Sequence, residues 1–387
     1  MKTHTQSIFT TLLVVIAVFS SQESNAKEPK SLFTQEDWEM GPFKKLPQPV
    51  LRPDPNLKFY CPKSMKTIAW QDDRVYSPAV VVKDGKVWLL TRSESKPWKW
   101  PDLPYRTQSE NRSKEGFTGR VGLAWSEDGR HFTQHPTPVL YPDNSDPMKK
   151  LEWPLGIWDA RCVEDPDGTF YLYYNASIDH GKPFILGVAT SKDLFTWKKH
   201  GNVFDKNHPG RSGMSGSVLW ELVDGYRRVA KKIDGKYWML FGHHDQVAVS
   251  DNLIDWEVYR DEEGNTRQVW SSKKGFSYHS GEPGTLRWTP KGIYFMLDGQ
   301  NDDQGPNGDK SLEKSIWTIG QMLLDPNDIT RVLKRAEKPF VYPQYDWEKE
   351  HGQHFCVMHD GLVYFKGQWL LYYGASDRYV GLAIYTP

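Results

Sequence analysis

Asp159–Ser177 reads DARCVEDPDGTFYLYYNAS, and six residues later Phe184–Trp197 reads FILGVATSKDLFTW. The first stretch is two apolar, aromatic-rich runs joined by Pro166-Asp167-Gly168, one of the strongest short-range hairpin signals. The second is a third strand, a turn at Ser191-Lys192-Asp193-Leu194 and a fourth strand opening at Trp197. Together they make one four-stranded antiparallel sheet.

Outward from this unit the pattern recurs. Ser77–Ser93 (SPAVVVKDGKVWLLTRS) continues into Arg120–Phe132 (RVGLAWSEDGRHF). A third copy is Arg227–Trp256, a fourth is Gly281–Gly299 with Ile316–Asp325, and a fifth is Cys356–Thr386. The turns Ser126-Glu127-Asp128-Gly129 and Ser250-Asp251-Asn252-Leu253 repeat the Ser191 turn and lead to Phe132 and Trp256 as it leads to Trp197. Four strands repeated five times predict an all-β protein, a five-bladed β-propeller with a central-channel active site. Residues 32–75 are expected to supply the last strand of the fifth blade and so close the ring.

Composition agrees. The 387 residues carry 49 Lys+Arg against 49 Asp+Glu, so no basic footprint for nucleic acid exists. Aromatics make up 14 %, with 17 Trp, 19 Tyr and 17 Phe, which excludes a disordered chain and suits wedges between flat sheets. Cys61, Cys162 and Cys356 allow at most one disulfide.

The N-terminus has the pattern of a secretory signal: Lys2, the apolar run Ile8–Phe19, and the small-x-small site Ser24-Asn25-Ala26. The expected organisation is a signal peptide over 1–26 and a single propeller catalytic domain over 27–387. A periplasmic or secreted location follows, with no integral membrane segment after cleavage.

In a propeller the starts of the innermost strands converge. Reading that position around the ring gives Ser77, Asp159, Arg227, Glu282 and Asp360, with Asp377 close behind. Carboxylates among Trp and Tyr suit a sugar, which offers hydroxyls to acceptors and C–H faces to rings. Two carboxyl groups can cleave a glycosidic bond, one as acid and one as base or nucleophile. The insert 96–116, with Trp98 and Trp100, reads as a long functional loop facing the sugar. Asn111-Arg112-Ser113 and Asn175-Ala176-Ser177 match the N-glycosylation pattern.

The chain resembles glycoside hydrolase family 130, propellers that include mannosyl-glucose phosphorylases and β-mannosidases. It is more distantly similar to families 43, 32 and 117. The resemblance runs from about Gly41 to Ala383 and rests on Val75–Ser95, Gly119–Asp143, Gly156–Ser177, Asp234–Trp256 and Gly361–Ala383. The family's GxEDPR stretch falls on Gly156-Ile157-Trp158-Asp159-Ala160-Arg161, where the aspartate and arginine survive, Trp158 replaces the glutamate and Ala160 the proline. The resemblance implies Asp159 as catalytic acid, with Trp158 expected to desolvate it. It implies Glu282, in SGEPGTL, as the base of an inverting attack, with Glu221 in reserve. Arg92, Arg120, Trp158, Arg161, His243, Asp360 and Asp377 are the expected substrate contacts. His243 and His244 are expected as consecutive residues of a strand, so at most one of them faces the pocket. No cofactor and no metal is expected; the partner is an oligosaccharide.

The expected activity is that of an exo-acting glycoside hydrolase on a β-mannoside or an algal or plant-wall oligosaccharide. Two alternatives stand beside it. A phosphorylase needs basic residues for phosphate and a cytoplasmic phosphate supply, which the leader opposes. A non-catalytic carbohydrate-binding propeller is compatible with Trp158 and Ala160 in the altered motif.

Overall fold

The computed structural model describes residues 36–95, 118–144, 148–177, 183–269, 275–277, 279–301, 307–349 and 356–387; for 149, 277, 279–282, 359 and 360 it describes the backbone only. The predicted leader, the insert 96–116 with Trp98 and Trp100, and Asn111 lie outside the described residues.

In chain order come β1 (Lys44–Lys45) and a hairpin of β2 (Lys58–Cys61) with β3 (Lys66–Ala69). Blade 1 is β4 (Arg74–Lys83), β5 (Lys86–Glu94), β6 (Arg120–Ser126) and β7 (Thr133–Gln134). Blade 2 follows a short helix, α1 (Lys149–Glu152), with β8 (Gly156–Glu164), β9 (Phe170–Ser177), β10 (Ile185–Ser191) and β11 (Lys198–Asn202). Blade 3 opens with β12 (Ser217–Val223). After an excursion, β13 (Arg227–Ala230) and β14 (Lys232–Ile233), it continues with β15 (Lys236–Phe241), β16 (Gln246–Ser250) and β17 (Trp256–Val258). Blade 4 is β18 (His279–Thr289), β19 (Gly292–Gln300), β20 (Trp317–Asp325) and β21 (Asp328–Arg335). Blade 5 is β22 (Val357–Phe365), β23 (Gln368–Ala375) and β24 (Tyr379–Tyr385). Its fourth strand is β1, paired antiparallel with β24 through Lys44↔Ile384 and Lys45↔Ala383. The N-terminal segment therefore closes the ring, as expected.

The repeated turns form for a chemical reason. The hydroxyls of Ser126, Ser191 and Ser250 each accept the backbone N–H two and three residues on. The oxygens of Asp128, Asp193 and Asn252 then accept the next two N–H groups. Such side-chain acceptors satisfy a tight turn without a ladder.

Between blades lie apolar wedges. Ala79, Leu90, Ile157 and Leu172 join blades 1 and 2, while Val80, Leu89, Leu370 and Leu382 join blades 5 and 1. None of the described tryptophans is exposed; Trp70, Trp220 and Trp256 are fully buried. All three cysteines are free and buried.

Two buried triads of the same design tie loops to blades. Lys199 on β11 donates to Glu152 Oε2 at 2.6 Å and to Tyr141 O at 2.8 Å, while the Tyr174 hydroxyl donates to Glu152 Oε1 at 3.1 Å. Lys45 on β1 donates to Glu348 Oε2 at 2.6 Å and to Tyr342 O at 2.8 Å, while Tyr373 donates to Glu348 Oε1 at 2.8 Å. Gly187 and Gly381 make room for the two tyrosine rings: an added Cβ would meet Tyr174 at 2.6 Å and Tyr373 at 2.2 Å.

Candidate active site

The inner strands break their ladders where the sequence places the convergent position. Bulges fall between Tyr76 and Pro78 in β4, Trp158 and Arg161 in β8, Ser280 and Pro283 in β18, and His359 and Gly361 in β22. Ser77, Asp159, Glu282 and Asp360 are the extra residues or lie among them. A bulge re-aims a side chain out of the pleat. Ser77 and Asp159 take positive φ, 45° and 47°, a conformation costly for a residue with a Cβ. In blade 3 the matching residue is Ser215, φ 52°, just before β12.

Arg227, expected at that third position, is not there. It belongs to the excursion strand β13 and donates to Glu164 Oε1 at 2.9 Å from its Nε. Glu221, the reserve base, lies on β12 and forms an ion pair with Lys231 at 3.1 Å. The side chains of Glu282 and Asp360 lie outside the described residues.

Arg92, near the end of β5, organises the centre. Its Nη1 donates to Asp159 Oδ1 at 3.0 Å and Oδ2 at 3.1 Å, and its Nε donates to Glu94 Oε1 at 2.7 Å. The guanidinium lies 3.9 Å from the Trp158 ring centroid and 4.8 Å from that of Tyr76. Burial opposes its charge, but Asp159 and Glu94 outweigh burial and hold its pKa well above the ordinary value. The Tyr76 phenol is pushed well above its usual range by burial. Glu94 is fully buried and also faces Arg74 at 3.8 Å.

Asp159 is 9 % exposed. Trp158, itself buried, stacks on Arg92, and its indole N–H donates to Leu155 O at 2.9 Å. Arg161 turns its Nη1 to backbone carbonyls, Asp159 O at 3.2 Å and Ala160 O at 3.4 Å. Asp377 occupies the β23–β24 turn with φ 50°, half-buried, and takes a 3.5 Å contact from the Cys356 thiol.

One expected contact sits elsewhere. Arg120 is 1 % exposed, donates to Thr118 O at 2.9 Å and to the Cys61 thiol at 3.5 Å, and lies under the β2–β3 hairpin with Phe59. His243 and His244 are exposed residues of the turn between β15 and β16, so strand alternation does not govern them.

Sequence reading missed Asn175, at the end of β9. It matches the N-glycosylation pattern, yet it is fully buried and bonds to both Asp159 and Ser215. Its place one residue past a Tyr-Tyr pair on an inner hairpin is the signal that could have found it.

No group of three or more His, Cys, Asp or Glu among the described residues could hold a metal ion. A cavity of about 730 Å3 lies on blade 4, lined by Phe276, Asp309, Ser311, Arg335, Glu337 and Lys338. Its charges answer one another: Lys338 pairs with Asp309 at 2.7 Å, and Arg335 feels the buried Asp245.

The family model described as beta-1,4-mannooligosaccharide phosphorylase, that of glycoside hydrolase family 130, matches residues 56–386. A glycosyl hydrolase structure from Bacteroides ovatus is 38 % identical with a TM-score of 0.82, over 92 % of this chain and 96 % of that one. A structure described under the heading that the GH130 family of mannoside phosphorylases contains glycoside hydrolases targeting beta-1,2 mannosidic linkages in Candida mannan is 37 % identical with a TM-score of 0.82, over 92 % and 96 %. The 1,2-beta-oligomannan phosphorylase of Thermoanaerobacter sp. strain X514 is 25 % identical over 81 % of this chain and 90 % of its own length.

Proposed function

The chain belongs to glycoside hydrolase family 130, and on that premise we propose that it is an exported, exo-acting hydrolase of β-mannosidic bonds in an oligosaccharide. Asp159 is the acid that protonates the glycosidic oxygen. Glu282 is the base that takes a proton from water attacking the anomeric carbon from the opposite face. That geometry inverts the anomer and calls for carboxyl groups roughly 6.5–9.5 Å apart.

The observation that carries hydrolysis over phosphorolysis is the state of Arg92 beside Asp159. A phosphorylase must hold an anionic nucleophile next to the acid. Arg92 is bonded to two carboxylates, while Arg161 turns its Nη1 to two carbonyls. The Arg92 charge is thus matched by Asp159 and Glu94, which suits a neutral sugar with water. The hydrolase descriptions attached to the more similar structures support the same reading. Export rests on the 1–26 leader pattern.

The test is product analysis on β-1,2-mannobiose with and without inorganic phosphate. Mannose released at equal rates in both, as the α-anomer first, is the expected result. Strict dependence on phosphate, with mannose 1-phosphate as product, would overturn it. Export is checked by N-terminal sequencing of secreted protein, expected to begin at Lys27.

A further inference from the structure

The Asn175 carboxamide stands between two residues in strained backbone. It is fully buried. The Ser215 N–H donates to its Oδ1 at 2.6 Å. Its Nδ2 donates to Ser215 Oγ at 3.3 Å and to Asp159 Oδ2 at 3.4 Å. These bonds settle which way the amide points. Flipped, its NH2 would face the Ser215 N–H, donor against donor, and a second carboxyl-like oxygen would face Asp159.

The consequence is an asymmetry in the Asp159 carboxyl. Arg92 touches both of its oxygens almost equally, at 3.0 and 3.1 Å, and does not tell them apart. Asn175 does, because its donor reaches Oδ2 only. We propose that Asn175, oriented by Ser215 from the neighbouring blade, is a positioning residue that reserves Oδ2 as acceptor and leaves Oδ1 as the oxygen that carries and delivers the acidic proton. The inference rests on Asp159 being the acid of the proposed reaction. It explains why blade 3 holds Ser215 at φ 52°: that conformation turns the Ser215 N–H and hydroxyl to the same amide.

A misplaced acid has a signature that a loosened fold lacks. Bonds to poor leaving groups need the proton, whereas an activated aryl leaving group departs without it. The experiment compares β-1,2-mannobiose with 2,4-dinitrophenyl β-D-mannopyranoside for wild type, Asp159→Asn, Asn175→Ala, Asn175→Asp and Ser215→Ala. Melting temperature is recorded for each. Asn175→Ala should lower kcat on the disaccharide about 100-fold, leave the aryl mannoside within about fivefold, and hold KM within about threefold. Asn175→Asp keeps the acceptor for Ser215 but sets a carboxylate beside Oδ2. It should show the same selective loss, and its high-pH limb of kcat/KM should move upward. If Asn175→Ala does not fold, Asn175→Asp carries the test. Equal losses on both substrates, or none, overturn the inference while Asp159→Asn still shows the leaving-group pattern. Full disaccharide activity in Asp159→Asn overturns the underlying reading instead.

Discussion

Ring closure depends on a two-residue strand, so the ion pair that anchors it should be measurable. Lys45 and Glu348 have side chains only 5 % and 0 % exposed. Removing one partner of a buried pair costs about 3–5 kcal/mol. The structure says where each variant falls in that range. After Lys45→Met, Glu348 keeps three donors: the Gln344 and Tyr345 N–H groups and the Tyr373 hydroxyl. This variant belongs near 3 kcal/mol. After Glu348→Gln, Lys45 keeps the Tyr342 carbonyl and two ring faces at 5.4 Å, which puts the loss near 5 kcal/mol. At about 2 cal/mol/K of unfolding entropy per residue, these are drops of roughly 4 and 7 °C for the Ser31–Pro387 unit. Amide exchange should quicken at Leu46 and Val50, whose N–H groups bond to β24. Lys199→Met, which breaks the sister triad inside blade 2, should leave those amides alone. The pH dependence has a defined sign. Burial pulls the Lys45 ammonium from 10.5 down to about 8 despite Glu348. Between those values the unfolded chain binds more protons than the native one, so the lysine's contribution rises with pH there. The gap between wild type and Lys45→Met should therefore widen from pH 8 to 10. A loss under 1 kcal/mol at pH 7, or unchanged exchange at Leu46, refutes the anchoring role.

Three further outcomes follow from the same geometry. Gly381→Ala sets a Cβ 2.2 Å from the Tyr373 ring, so overpacking should cost about 1–3 kcal/mol in denaturant melts; an unchanged midpoint refutes the close approach. Thiol alkylation during gentle unfolding should label Cys61 first: burial raises its pKa, but Arg120 and Ser64 outweigh it, whereas burial pushes Cys162 up to about 12 and Cys356 well above its usual value. Peptide mapping that finds Cys162 modified first would contradict this. Arg92→Lys keeps one charge but cannot span Asp159 and Glu94 together; kcat on the disaccharide should fall about 100-fold, and wild-type kcat would remove Arg92 from the site.

The fold was legible because its signals are periodic and local. Turn hydroxyls at Ser126, Ser191 and Ser250 and the aromatics six residues after each mark the same step of successive blades. Blade 3 was misread where a non-periodic element intervenes. The excursion β13–β14 has the apolar, charged alternation of an inner strand, while the true one, β12, lies ahead of it and carries the less regular Ser217–Val223. Strand β21 was missed because it lies at a blade's outer edge, where Val332 and Leu333 are exposed and no apolar face is required.

The site was legible only as far as backbone position goes. Spacing located Asp159, since a bulge at the head of an inner strand repeats around the ring. Partner choice did not follow, because pairing across blades joins residues far apart in sequence: Arg92 to Asp159, Asn175 to Ser215. Arg120 at the head of β6 and Arg92 near the end of β5 look alike in one dimension. In three dimensions one lies beneath a hairpin against a thiol and the other between two carboxylates.

That difference bears on the proposed choice of hydrolysis over phosphorolysis in a chain of zero net charge. Charge totals are the same whether an arginine faces a carboxylate or an empty pocket; only pairing distinguishes them. On the proposed reading, Glu94 is the residue that favours hydrolysis. Fully buried and bonded to the Arg92 Nε, it occupies the side of the guanidinium that Asp159 does not. Bringing an anion to Arg92 would mean separating a buried ion pair, which is unfavourable by several kcal/mol. Bringing a sugar hydroxyl and a water asks for no such separation. The carboxylate that makes Arg92 a poor phosphate ligand is thus the one that holds it as a rigid support for Asp159.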